Sequence, residues 1–317
     1  MTSLPLPALH GESPLGFLAA LGTARLMTEH TAHRPTLAWS PETGTAALHN
    51  VDLTLEDVVS ELIGIVAAIP EDGVLPGLPS DFPPPGEAPD KLRLPRPDFS
   101  RFAEAVARDG GRAAERWLSS LVTDLSVDDK GRVDITLFAA PSGKQSMRTM
   151  LDKPLGLVRR NPELLREALT SWRRYPGVSG EYLDHRVLYD ATDSPNGKPA
   201  ERGVPGATWL ALMAYPLMVS AAENGDIRTT CWQAFPRGPK RLIYPLWSAP
   251  LELDAVRALL SHPVMKRAEP GDPPELARLL SIFRIVHASR RRLAGRTFAG
   301  VLAPNDQPLE PEEALPR

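Results

Sequence analysis

The sequence predicts an α+β protein, with mixed helices and β-hairpins arranged in two lobes, on three observations. Ser13-Pro14 opens an apolar run of helical character; short alternating segments flank turn-forming residues; and a proline-dense stretch over residues 70–97 interrupts the chain about a quarter of the way along. The expected division is an N-terminal lobe over 1–97, a helical and hairpin-containing C-terminal lobe over 98–303, and an acidic proline-rich tail over 304–317.

In the opening helix Ser13 supplies an N-cap hydroxyl, and Pro14 fits the first helical position, where no amide donor is needed. Gly16, Ala19, Ala20, Gly22 and Ala24 keep its faces narrow, so other backbone can approach closely. Each glycine costs a helix up to about 1 kcal/mol relative to alanine, and packing has to supply that energy. Leu18 and Leu21 are expected to be buried. Thr36–Trp39 and Thr45–His49 flank Ser40-Pro41-Glu42-Thr43-Gly44 and read as a hairpin. A helix follows over Leu55–Ala68, and the prolines after it suit only a loop, expected at the surface.

Helical spacing resumes over Phe99–Ala107 and Arg112–Leu125, with Asp109-Gly110-Gly111 between. Val133, Ile135 and Leu137 alternate with polar residues as a strand that hands over to a helix through Ala139–Gln145. Asn161-Pro162-Glu163 repeats the cap-then-proline pattern, with Leu164, Leu165, Ala168, Leu169 and Trp172 as the buried stripe. Trp209–Val219, containing Pro216, reads as a buried kinked helix. Asn224-Gly225-Asp226 leads into Ile227–Trp232, and Arg241–Trp247 is its expected hairpin partner. Asp272, Pro273 and Glu275 resemble a capping box, and Leu276, Leu279, Leu280, Phe283 and Val286 extend a helix expected to end in Arg290-Arg291-Arg292. No internal repeat is present, and the tail is expected to be disordered.

The 317 residues, 42% of them hydrophobic, suffice for one large or two ordinary cores. A net charge of −3 argues against bulk attraction to a polyanion, so nucleic-acid contact would come from local patches. One cysteine, Cys231, excludes an intrachain disulfide and a thiolate zinc cluster within the chain, which fits a cytoplasmic protein. Leu15–Met27 has no basic leader and, like Trp209–Val219, is too short to span a bilayer, so no membrane association is expected.

Ser142-Gly143-Lys144-Gln145 lacks the glycine and hydroxyl of a phosphate loop, although Gly143 at a helix start with Lys144 and Arg148 suits a single phosphate. The seven histidines are scattered, His30 and His33 have no third ligand, and Asp184-His185 runs in reverse order to a His-Asp metal dyad. No serine nucleophile elbow occurs. No catalytic residue, metal or cofactor is therefore nominated. Two basic clusters stand out: Lys144, Arg148, Lys153, Arg159 and Arg160, with Asp152 the sole acid among them; and Arg284, Arg290, Arg291, Arg292 and Arg296, with none. Each cation meeting a phosphate releases counterions, whereas an ordinary solvated helix end is the competing explanation. Arg173-Arg174-Tyr175 and Arg237, Lys240 and Arg241 are weaker candidates; Trp232, Tyr244 and Trp247 suit either base stacking or the core.

Three blocks resemble the proteins encoded with type I-U, also called type I-G, CRISPR systems. They are Leu9-His10-Gly11 through Leu26, with its Pro-Leu-Gly-Phe-Leu-Ala-Ala-Leu-Gly pattern; Phe138–Gln145; and Ala207–Leu212 with Tyr215-Pro216-Leu217, Arg228-Thr229-Thr230 and Tyr244–Leu251. The resemblance covers about half of the chain. It implies a large or accessory subunit of a Cascade-like surveillance complex, with crRNA, target DNA, backbone subunits and a helicase-nuclease recruited in trans as partners. Such a subunit is non-catalytic and reads the flanking motif and backbone shape while base pairing reads sequence. The expected nucleic-acid contacts are Lys144, Gln145, Arg148, Arg159, Arg160, Arg290, Arg291 and Arg292, acting mainly on phosphates. A protein-interaction scaffold in the same kind of complex and a metal-dependent hydrolase using Asp184 and His185 remain as alternatives.

Overall fold

The computed structural model describes residues 3–84, 92–139, 145–189, 200–235, 239–266, 273–291 and 300–305. Helices and small antiparallel sheets alternate along the chain, which makes the class α+β. Strand β1 (Ser3–His10) leads into α1 (Pro14–His30), and β2 (Thr36–Trp39) and β3 (Thr45–His49) form the expected hairpin, so the first sheet has the order β1-β3-β2. The Ser13 hydroxyl accepts from the Gly16 amide at 3.4 Å, and every residue from Pro14 to Met27, Leu18 and Leu21 included, is buried.

Next comes α2 (Leu55–Ala67), closed at its start by a reciprocal Thr54–Asp57 capping box. Helix α3 (Arg96–Leu121) runs on through Asp109 and Gly110 and breaks only at Gly111, whose φ is 56° and ψ −155°. It ends at Leu121 rather than Leu125. Val122 onward becomes β4 (Val122–Val127), because β-branched and alternating residues there pair with β5 (Val133–Ile135). Ser146 caps α4 (Met147–Arg160), and α5 (Glu163–Thr170) follows with Pro162, not Asn161, at its N-cap; Trp172 lies beyond its end.

The glycine-rich stretch holds short strands β6 (Tyr175–Pro176), β7 (Leu188–Tyr189) and β8 (Ala200–Gly203), in the order β6-β8-β7. The buried kinked segment is α6 (Pro205–Leu212) followed by a 3-10 turn at Tyr215–Leu217. Around Asn224-Gly225 the hairpin pairs β9 (Ser220–Glu223) with β10 (Asp226–Thr229). The expected long hairpin is replaced: β11 (Trp232–Gln233) pairs with only the first two residues of β12 (Arg241–Trp247). After α7 (Leu253–Leu260), α8 is a short helix (Glu275–Leu279), and the chain then extends as β13 (Ile282–Arg291), which lies along the whole of β12 and pairs with β14 (Val301–Pro304).

The helix expected through Val286 to the arginine run is therefore a strand. Phe283 and Val286 have helical spacing with Leu276, Leu279 and Leu280, yet the β-branched Ile282, Ile285 and Val286 fill a central position between two strands, so tertiary pairing overrides the spacing. Asp272, Arg292 and the residues of the tail from 306 lie outside the described residues.

One apolar core extends across the expected boundary between lobes. Phe17 of α1 stacks on Tyr244 of β12 at 4.1 Å between ring centroids and meets Trp39 and Trp247, while the Trp247 indole donates to the Leu37 carbonyl at 2.8 Å. At the other end of α1, buried Arg25 pairs with Glu29, donates to the Met213 carbonyl and lies over Trp117, so α1 ties α3 and α6 together. Within the proline-rich segment, expected at the surface, Val74, Leu75, Leu78 and Phe82 are buried in this same core.

Candidate functional site

The structure gives the arginines nominated from sequence unequal roles. Lys144 and Arg292 lie outside the described residues. On α4, Arg148 donates to the carbonyls of Ser80, Pro83 and Asp72, and Arg159 to those of Ile69, Pro70, Glu71 and Gly73. A proline-rich segment has few amides to satisfy its own carbonyls, and a guanidinium with five N–H donors serves several at once. These two arginines fasten that segment to α4. Arg290 likewise donates to the carbonyls of Phe138 at 2.7 Å, Gly300 at 3.0 Å and Tyr182 at 3.4 Å, and its burial pulls its pKa down to about 10. Arg291 donates to the Pro304 carbonyl across the β13–β14 pair. Arg160 is exposed at the C-terminal end of α4.

Gln145 and Arg160 meet in a pocket of about 520 Å³ between α4 and the turn Gly177–Tyr182. Gly180, Glu181 and Tyr182 are three successive residues in the left-handed region, with φ of 58°, 51° and 56°. Each non-glycine residue there costs about 1–2 kcal/mol, and such strain persists only where surrounding contacts impose it. The contacts are present: Arg290 holds the Tyr182 carbonyl, the Tyr182 hydroxyl donates to Glu201 at 2.9 Å, and the Gln145 amide donates to the Glu181 carboxylate. The turn carries the Glu181 side chain into the pocket wall. Burial pushes its carboxyl up to about 7, against the opposing pull of Gln145, the Lys153 charge and Ser179, and Glu201 adds to the rise. Lys153 and Arg160, with Asp152, form the rim.

His185 and Arg186, just beyond that turn, wall a second cleft of about 810 Å³ with β1, the cap of α1, the end of α5, β13 and β14. Its lining carries two guanidinium groups, Arg186 and Arg284, against one carboxylate, Glu12, which pairs with Arg284; His10 and His185 add ring nitrogens. The Arg186 guanidinium lies 5.7 Å from the centre of the Trp172 ring. Arg284 reaches this cleft because β13 is a strand: alternation places Arg284 and Arg290 on one face, the first in the cleft and the second behind Tyr182.

Asp184 does not stand as a free metal ligand. Burial raises its carboxyl, but Arg186 and Arg174 outweigh that and hold it below the usual carboxylate range, and both oxygens accept hydrogen bonds from these two residues. Burial lowers the His185 imidazole pKa. Among the described residues no group of three or more His, Cys, Asp or Glu is placed to hold a metal.

Sequence reading missed Glu181, Tyr182, Trp172, Arg186 and Glu201. The paired glycines Gly177 and Gly180 were the available signal for an unusual turn, but nothing in their spacing says which acid it buries. Comparison with models of known protein families finds no match, and no curated protein matches the chain.

Proposed function

We propose that the chain is a non-catalytic nucleic-acid-binding subunit of a cytoplasmic, crRNA-guided Cascade-like complex, contributing to recognition of target DNA and its flanking motif. The observation that carries the binding role is the cleft in which Arg186 lies over Trp172 beside Arg284. Guanidinium groups supply phosphate contacts, and an aromatic ring with an arginine over it is a stacking platform for unpaired bases. The family resemblance of the opening helix, the Phe138 block and the Trp209–Trp247 blocks supports the assembly. No described helix is long and apolar enough to cross a membrane. On this reading Arg186, Arg284 and Trp172 join Arg160 and Lys153 as contacts, while Arg148, Arg159 and Arg290 hold the fold.

The test is a salt titration of binding to single-stranded DNA. Replacing Arg186 and Arg284 together by glutamine should reduce the slope of log K against log salt by about 1.4, from about 0.7 per phosphate contact. Trp172→Leu should weaken binding by about 1–3 kcal/mol with the slope unchanged. Wild-type slope and affinity in both variants would remove the cleft from nucleic-acid binding. The scaffold reading is favoured by Leu276 and Leu279 of α8, 58% and 76% exposed. It gains if no strand binds while Leu276→Ser with Leu279→Ser abolishes association with a partner subunit.

A further inference from the structure

We propose that the pocket beneath the Gly177–Tyr182 turn binds the guanine base of a nucleotide, with the Glu181 carboxylate accepting two adjacent N–H groups and Lys153 and Arg160 meeting the phosphate. This rests on the reading of the chain as a nucleic-acid-binding protein and adds a base-selective site to it. At about 520 Å³ the pocket is within the ordinary range for a small ligand.

The carboxylate selects the base by its pattern of donors and acceptors. A carboxylate only accepts, through two oxygens side by side. On the Watson–Crick edge, guanine alone offers two neighbouring donors, N1–H and the 2-amino group. Adenine and cytosine place an acceptor beside their amino donor, and uracil and thymine flank their single donor with carbonyls. A protonated carboxyl presents one donor and one acceptor, which suits adenine or cytosine instead. An arginine side chain of a partner protein shares guanine's paired N–H edge, but it would enter past a rim where Lys153 and Arg160 outnumber Asp152, a balance that favours a phosphate over a cation.

The rigidity of the turn is what makes the carboxylate useful for this purpose. Three left-handed residues in succession, held by Arg290, Glu201 and Gln145, fix the acid before any ligand arrives, so little ordering is left for binding. The polar and charged groups around it come from every side: Gln145 and, from α4, Asp152, Lys153 and Arg160; Ser179 from the turn; Glu201 from β8; Thr208 and Tyr215 from α6 and the turn after it; and Arg290 from β13.

Because Glu181 titrates near 7, its ionised fraction rises about tenfold between pH 6 and pH 8, and the affinity of a ligand that needs the anion rises with it. GMP and AMP share their phosphate titration, so their affinity ratio isolates the base. In calorimetric titrations of the full chain, the GMP to AMP ratio should rise about tenfold or more from pH 6 to pH 8. In Glu181→Gln, whose amide mimics the protonated acid, the ratio should be low and independent of pH. Lys153→Ser with Arg160→Ser should weaken both nucleotides and keep the rise of the ratio with pH, moved to higher pH because the Lys153 charge no longer pulls the Glu181 carboxyl down; this variant and the wild-type ratio decide the matter if Glu181→Gln does not fold.

Equal binding of GMP and AMP at pH 8, or of inorganic phosphate as tightly as GMP, overturns the proposal. If GMP fails to bind while single-stranded DNA still binds with its full salt slope, the guanine site falls and the nucleic-acid reading stands. If both fail, both fall.

Discussion

Gly22→Ala should destabilise the protein by about 3 kcal/mol or more in urea unfolding, reversing the usual sign of a glycine-to-alanine change inside a helix. Helix propensity alone favours the alanine by about 1 kcal/mol. At Gly22, however, an added methyl would fall far under 3.0 Å from the Leu210 carbonyl oxygen, with the Ala214 amide close by. Both neighbours are backbone of α6 and the turn after it, so no side chain can rotate away. The helices would have to separate, opening a core shared by Leu18, Leu21, Trp209 and Leu210, all buried. Gly64 of α2 is the control, since nothing lies within 4 Å of its added carbon, and Gly64→Ala should raise stability by up to about 1 kcal/mol. Equal or greater stability in Gly22→Ala would mean that α1 and α6 do not pack at this distance.

Arg290→Met should remove about 3–5 kcal/mol of stability, because three hydrogen bonds from a charged donor are lost at about 1.5 kcal/mol each. The carbonyls of Phe138, Tyr182 and Gly300 lose the guanidinium together. Arg290→Lys should recover only part of the loss, since one ammonium cannot reproduce a planar fork directed at three separate oxygens. The decisive second readout is nucleic-acid binding by the folded fraction. Its salt slope should match wild type, whereas a phosphate-contacting arginine would take about 0.7 with it. Wild-type stability with a reduced slope would return Arg290 to the nucleic-acid surface and leave the Tyr182 turn without its anchor.

Arg290 also shows why the candidate site was only partly legible. A run of arginines reads as a solvated or phosphate-binding end, and sequence carries no sign that the first of them will donate to three carbonyls from distant parts of the chain. Arg148 and Arg159 repeat the lesson with the proline-rich segment, whose missing proline amides are what made it read as a surface loop and whose carbonyls the two guanidinium groups hold. Lys153, Arg160 and Gln145 were in view as a basic patch, but the acid they surround comes from a turn some twenty residues beyond α4. Its burial arises only when Arg290 and Glu201, both remote in sequence, lock that turn.

The sequence by itself determined the α+β class, the capped opening helix, the first hairpin, α2 and the kinked segment at Trp209, because capping, periodicity and turn chemistry act over a few residues. The tertiary structure alone decided that Ile282–Arg291 is a strand, that the core takes in Val74, Leu75, Leu78 and Phe82 beside the prolines, and that Glu181 sits in a pocket wall. Each of these depends on partners far along the chain: β12 for the strand, the carbonyls that Arg148 and Arg159 hold, and the Arg290 clamp behind Tyr182. Local propensities of a fraction of a kcal/mol per residue give way when such pairing and burial contribute several.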